Sequence, residues 1–334
     1  MSNWNIKEES IALPNIERAL ALDIWLTEIA GASWIKLRSQ LIKSELISCE
    51  PRDLSIYFLV VLCIARQYSN QKNTNSTHII RNSIEKWCLD PPSCVANLKI
   101  GDANYVALLK DHDVILSDLK NVIHPSISGH HLIPLFDKNS KTIPSEISTT
   151  LNEAISLIEI SDPISIEQFR QNCGAICLLK TNPIMPIGEC ISTTSKLIPG
   201  LVYLTPTRVI LTAESLVHEA AHLYLSGLEQ RQSFYAISST NSLAVTPLRP
   251  DPRPISGLFH QVWVLANLVR LYSQFLKTNT NIIDLNFEKI KKRHEQHLKD
   301  LIQGLNALDK MTDNLAPAGL VFYKNINYCV SALI

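Results

Sequence analysis

Ser215-Leu-Val-His-Glu-Ala-Ala-His-Leu-Tyr-Leu225 is the stretch on which the reading of this chain turns. It places His218, Glu219 and His222 in the order HExxH. On a helix, positions i and i+4 lie about 40° apart around the axis and roughly 6 Å apart along it. His218 and His222 can therefore put two imidazoles on one metal ion. Leu216, Val217 and Leu223 flank the motif and give the helix an apolar face to bury. The plainer alternative is a helix carrying two histidines and no metal. Against it stands the glutamate beside the first histidine, which completes a familiar metalloenzyme arrangement.

A metal on two histidines needs a further ligand downstream. Where one zincin pattern wants Gly and His after the motif, this chain has Leu225 and Leu228. Another pattern wants a glutamate on a following helix. Between His222 and Phe287 the only glutamate is Glu229. Two turns up the same helix, it lies ~10 Å away and is out of reach of the metal. His260, in Gly257-Leu-Phe-His-Gln-Val262, is the natural candidate, and is expected in the first turn of the next helix. It is either a core or capping histidine or the third ligand. The absence of a carboxylate ligand beside the pair favours the second reading. Immediately before it runs Pro247-Leu-Arg-Pro-Asp-Pro-Arg-Pro254, a proline-stiffened stretch expected as part of a long loop over Arg231–Ile255. Arg249 and Arg253 on it suit bidentate binding of a carboxylate, as on a diacid cosubstrate. The alternative is a surface loop in which Asp251 pairs with Arg253.

The rest of the chain bounds the function. It has 334 residues, of which 46% are hydrophobic, enough for one large domain or two moderate ones. Lys and Arg together number 31, as do Asp and Glu, so no basic surface for nucleic acid is expected. The N-terminal stretch MSNWNIKEESIALPN has no apolar core of a signal peptide. The longest apolar run, Leu54–Ala65, is about 12 residues and too short to span a bilayer. The eight cysteines are scattered and read as free thiols, so a cytoplasmic protein without membrane partners is expected.

Apolar periodicity predicts helices over Leu13–Ile47 (broken at Gly31), Arg52–Tyr68, Ile79–Leu89, Leu151–Ile160, Glu214–Gln230, Ser256–Lys277, Phe287–Leu308 and Ala316–Leu333. Tyr105–Leu108 and Val114–Leu116 read as short strands or a helix; Ala175–Lys180 and Ile198–Ile210 read as strands. His124–Ser148, rich in Pro, His, Ser and Thr, reads as a linker. The expected fold is α+β and predominantly α-helical. A helical N-terminal region over 1–148 would precede a metal-binding catalytic domain over 149–334, with a zincin-like HExxH helix beside a small sheet rather than a cupin jelly roll. Cys173 and Cys177 are expected as core thiols, and Lys291–His297 as a solvated, charged helix face.

Several segments together resemble the HExxH-motif peptide-modification family. They are Pro199-Gly-Leu-Val-Tyr-Leu-Thr-Pro206, the motif helix, Arg249-Pro-Asp-Pro-Arg-Pro254 and Gly257-Leu-Phe-His260, and the likeness covers about residues 195–280. The resemblance implies an Fe(II)- and 2-oxoglutarate-dependent dioxygenase that hydroxylates a side-chain β-carbon in a ribosomally made precursor peptide, with O2 as oxidant. It implies iron on His218, His222 and a downstream residue, here His260, although an all-histidine set departs from the usual two-His-one-carboxylate triad. It further implies 2-oxoglutarate with its far carboxylate on Arg253 first or Arg249 second, and Glu219 as a residue that orients ligands or water. The peptide is expected along Arg231–Val245, near Phe234 and Tyr235. Two rival readings stay open: a zinc metallopeptidase with Glu219 as general base, and a non-catalytic peptide-binding escort protein.

Overall fold

A computed structural model of the chain describes residues 27–28, 30–43, 81–82, 85, 95–100, 103–108, 144–173, 175–179, 192–195, 198–236, 243–246, 249–277 and 287–331. In chain order its regular elements are α1 (Ala32–Lys43), β1 (Val95–Ile100), β2 (Ala103–Leu108), α2 (Ser145–Ser161), α3 (Pro163–Asn172), β3 (Ala175–Leu178), β4 (Ser192–Ser195) and β5 (Ile198–Leu204). There follow α4 (Val209–Arg231), β6 (Leu243–Thr246), β7 (Arg249–Pro254), α5 (Ile255–Lys277), α6 (Phe287–Asp309) and α7 (Pro317–Ser331). The described fold is α+β and predominantly helical. No described helix is long and apolar enough to cross a membrane.

Two compact units interleave along the sequence. One includes Ser156–Phe169 and Leu216–Ile334; the other includes Ala12–Ile155 and Arg170–Ser215. Sequence placed the divide at 148/149, whereas these boundaries fall within α2, α3 and α4. The helix expected over 52–68, most of that over 79–89, the strand over 114–116 and most of the linker over 124–148 lie outside the described residues; Arg81, Asn82 and Glu85 are helical.

The second unit is built on a five-stranded mixed sheet in the order β1-β2-β3-β5-β4. β2, β3 and β5 run parallel, while β1 and β4 pair antiparallel at either side. Val202, Tyr203 and Leu204 in β5 are all fully buried. Successive strand residues point to opposite faces, so β5 is covered on both, as a parallel strand requires. The strand expected over 198–210 stops at Leu204, and the chain enters α4 at Val209 instead of Glu214. The Thr212 hydroxyl accepts the Thr207 N–H at 3.2 Å, closing the first turn. Gly31, with φ of 51°, breaks the helical run ahead of α1 in the left-handed conformation that glycine adopts without a Cβ penalty.

The first unit is organised around α5. Its buried residues run from Ile255 through Leu258, Val262, Ala266 and Val269 to Phe275 and cover nearly every face. Polar groups on so buried a helix need partners, and Arg270 finds several. Arg270 donates from Nε to both oxygens of Asp162, at 3.0 and 3.2 Å, and from Nη2 to Ser165 Oγ and Asn267 Oδ1. Asp162 also caps α3, accepting the Ser165 N–H at 3.4 Å on Oδ1 and the Ser165 hydroxyl at 2.6 Å on Oδ2, just ahead of Pro163 at the first helical position. α6 lies close against α5: a Cβ on Gly304 would stand 3.0 Å from Val262 Cγ2.

Two elements differ from their sequence readings. The proline-rich run is not a loop: Arg249–Pro254 is strand β7, paired antiparallel with β6 in a two-stranded ribbon. Proline has no N–H to donate and is confined to edge strands and bulges; the ribbon has only two strands, and its register shifts between Ala244 and Thr246. The Lys291–His297 segment is solvated only in part. Its lysines and arginine are exposed, but His294 and His297 turn inward. His294 Nε2 lies 2.9 Å from Ser273 Oγ, and the His297 ring is 5.4 Å from that of Tyr272.

Asp162→Ala leaves the Arg270 guanidinium buried without its carboxylate. A loss of about 3–5 kcal/mol is expected in denaturant unfolding, with partial recovery in Asp162→Ala/Arg270→Met. Burial first, and the His297 charge second, hold His294 below its ordinary value of 6.5 against an opposing pull from Glu295. The unfolded chain then binds this proton at a higher pH than the folded one. Stability should fall as pH drops through the ordinary histidine range and level off below the folded pKa. Urea midpoints between pH 7.5 and 5.5 should slope less in His294→Gln.

Candidate metal centre

Helix α4 carries the motif because its sequence alternates one buried face with a row of chemistry. Leu216, Val217, Ala220, Ala221, Tyr224 and Leu225 are buried. Ala220 and Ala221, between the two histidines, keep that turn thin. α5 meets it there: the Trp263 indole Nε1–H donates to the Ala221 carbonyl at 3.1 Å, and its ring stacks on Tyr224 at 5.6 Å. This bond sets the register of α5 against α4. One turn before Trp263 sits His260, in the second turn of α5, because the helix starts at Ile255.

His260 is brought to His222. Their Nδ1 atoms are 3.0 Å apart and their rings stack at 5.3 Å with 23° between planes. His260 is only 5% exposed. Its other nitrogen, Nε2, lies 3.0 Å from Glu229 Oε1. A carboxylate accepts only, so Nε2 of His260 carries a hydrogen. In the neutral ring Nδ1 then presents a lone pair, and the hydrogen between the two rings comes from His222.

Glu229 has a second donor, the Tyr235 hydroxyl. Burial first, then the Glu229 charge and this hydrogen bond, push the Tyr235 phenol far above its ordinary value, so it stays a donor. Tyr235 is itself tied down. It forms a β-bridge with Leu315, Ala236 N–H donates to Asn314 O at 2.9 Å, and Ala316 N–H donates to Phe234 O at 3.0 Å. Gly319 lies under the same carbonyl, where any Cβ would collide with Phe234 O. Phe234 is 1% exposed, in a cluster with Phe259 and Phe322. It belongs to the core, not to a peptide-binding surface, which corrects the expectation placed on it.

The other motif residues stand as follows. The His218 side chain is 40% exposed, and its ring centroid is 4.9 Å from that of His222. Glu219 is 1% exposed, with Oε1 3.9 Å from His218 Nε2. The backbone of Arg249 and Arg253 is held in β7, which packs on α5; their side chains lie outside the described residues.

Two ligand nitrogens each ~2.1 Å from one metal, at about 90°, are about 3.0 Å apart. The His222–His260 separation matches that spacing, and Glu229 orients the ring as partners of metal-bound histidines do. Imidazoles from positions 218, 222 and 260 thus fit a mononuclear metal in donor chemistry. Among the described residues, no three His, Cys, Asp or Glu side chains are already gathered at metal-ligand distance. Binding then requires His218 to join the pair and the hydrogen on His222 Nδ1 to move to its other nitrogen.

The sequence reading named the three histidines but not the residues that contact them. Glu229 was discounted as a ligand and overlooked as a partner; its signal was the seven-residue step from His222, which returns to the same helix face. Trp263, one turn after His260, carried a similar signal.

Trp263→Phe keeps the ring but removes the bond to Ala221. It should lower stability by about 1 kcal/mol in denaturant unfolding and weaken divalent-metal binding in calorimetry through loss of helix register. Among known proteins, no family model matches the chain, and no curated protein matches it.

Proposed function

We propose that this protein is an Fe(II)- and 2-oxoglutarate-dependent dioxygenase that hydroxylates a side-chain β-carbon of a ribosomally synthesised peptide, from a zincin-like metal site. The observation that carries the reading is the approach of His260 to His222 at 3.0 Å, with Glu229 on the far side of the ring. It supports a third histidine, not a carboxylate, as the ligand that joins the motif pair. His218, His222 and His260 would hold the iron. Iron held there would let O2 act as the oxidant, with 2-oxoglutarate giving two electrons as it goes to succinate and CO2 and the C–H bond giving two as it becomes C–OH.

The protein's own groups do the rest. His222 and His260 bind; Glu229 orients. Arg253, or Arg249 in its place, would neutralise the far carboxylate of 2-oxoglutarate, and the ribbon that fixes their backbone packs on the helix bearing His260. Glu219, buried beside His218, suits a role in orienting that ring. A peptidase would instead need this carboxylate at a solvent-derived water.

Reconstitution under argon with Fe(II), followed by 2-oxoglutarate, O2 and the precursor peptide encoded beside the gene, is the test. Succinate should form in step with a peptide heavier by one oxygen atom. Cleavage of the peptide with zinc alone, or no succinate with iron, overturns the reading. His260→Ala should lose more iron affinity than the roughly 10–100-fold that loss of an outer partner costs; full retention would remove His260 from the ligand set.

A further inference from the structure

We infer that Glu229 and Tyr235 are a positioning pair that locks the His260 imidazole in its Nε2–H tautomer, so that Nδ1 is bare and aimed at the metal position beside His222. The inference rests on the three-histidine metal reading and concerns what prepares that site before metal arrives.

Four observations combine. Seven residues separate His222 and Glu229 on α4, so they lie ~10 Å apart along one face. The His260 ring from α5 fills the gap between them, touching one through each nitrogen at 3.0 Å. Glu229 is 14% exposed and the His260 side chain 7%, so water competes little for the contact. Finally, Tyr235 donates to the same Glu229 oxygen. That donor keeps the carboxylate from swinging away, and it is anchored through the Leu315 bridge and the Gly319 contact near α7.

The physical consequence is specific. A free neutral imidazole exchanges its hydrogen between nitrogens, and only one form offers Nδ1 to a metal. A fixed carboxylate at Nε2 selects that form and raises the basicity of the opposite nitrogen. Tyr235 acts one step further out, through Glu229.

Three variants separate geometry from charge. Glu229→Gln keeps an acceptor but drops the charge, Glu229→Leu drops both, and Tyr235→Phe drops only the outer donor. The first readout needs no metal: 15N-edited NMR of the imidazoles. His260 should be the Nε2–H tautomer in the wild type and in Glu229→Gln, and a mixture in Glu229→Leu. The second readout is Co(II) titration of the metal-free protein, followed by visible absorption. Affinity should fall about 10–100-fold in Glu229→Leu, less in Tyr235→Phe, and recover partly in Glu229→Gln. Thermal unfolding of the metal-free variants serves as the fold check; if Glu229→Leu does not fold, Tyr235→Phe and Glu229→Gln carry the comparison. A wild-type His260 that is a tautomer mixture, or variants that bind Co(II) as the wild type does, overturn the inference. A wild type that binds no Co(II) while His260 remains locked overturns the metal-site reading and leaves the tautomer lock standing.

Discussion

The contact of His222 with His260 is the interaction on which the first unit turns, because it demands that two long helices cross at one register. Two nitrogens 3.0 Å apart leave little tolerance for a sliding helix. Apolar packing alone does not set register to that tolerance; a hydrophobic face accommodates small shifts. Directional bonds do set it. Trp263 supplies one to the backbone of Ala221, next to His222. Glu229 supplies another, from the same helix as His222 to the same ring of His260.

Along α5 these bonds form a row of polar contacts inside an otherwise apolar helix. His260 meets Glu229 and His222, Trp263 meets Ala221, and Asn267 donates to the Trp263 carbonyl and accepts from Arg270. Arg270 closes the row on Asp162 and Ser165. Burying such groups is costly unless each finds its partner. The arrangement gives α5 fixed points at both ends of its length. The His222–His260 contact lies toward one end, and the ion pair that joins α5 to the start of α3 lies toward the other. The segment after α4 adds a third restraint, carrying Tyr235 against residues 314–316 and the close approach at Gly319.

Much of this was legible in the sequence, and the exceptions have physical reasons. The periodic runs behind α2, α5, α6 and α7 declared themselves because burial of a face leaves a helical repeat. HExxH and His260 stood out in the sequence because that motif restricts residue type and spacing, and the structure brings His260 to His222. β7 was not legible, because proline signals a break wherever its missing N–H would matter; a two-stranded ribbon of irregular register does not need every N–H. β1 went unread as a six-residue strand whose partner, β2, is supplied by the hairpin. Glu229 was weighed only by its distance to a metal, and a single chain read in one dimension does not show that a ring from another helix fills that distance. His294 and His297 sit among charged neighbours, which masked the polar contacts that α5 offers them.

X-ray absorption of the iron-loaded protein under argon bears most directly on the centre itself. Imidazole rings give a distinct multiple-scattering pattern, so the number bound to the metal can be counted. Three imidazoles in the wild type and two in His260→Ala are expected. Two in both, with a carboxylate completing the set, would contradict the assignment of His260 as the third ligand.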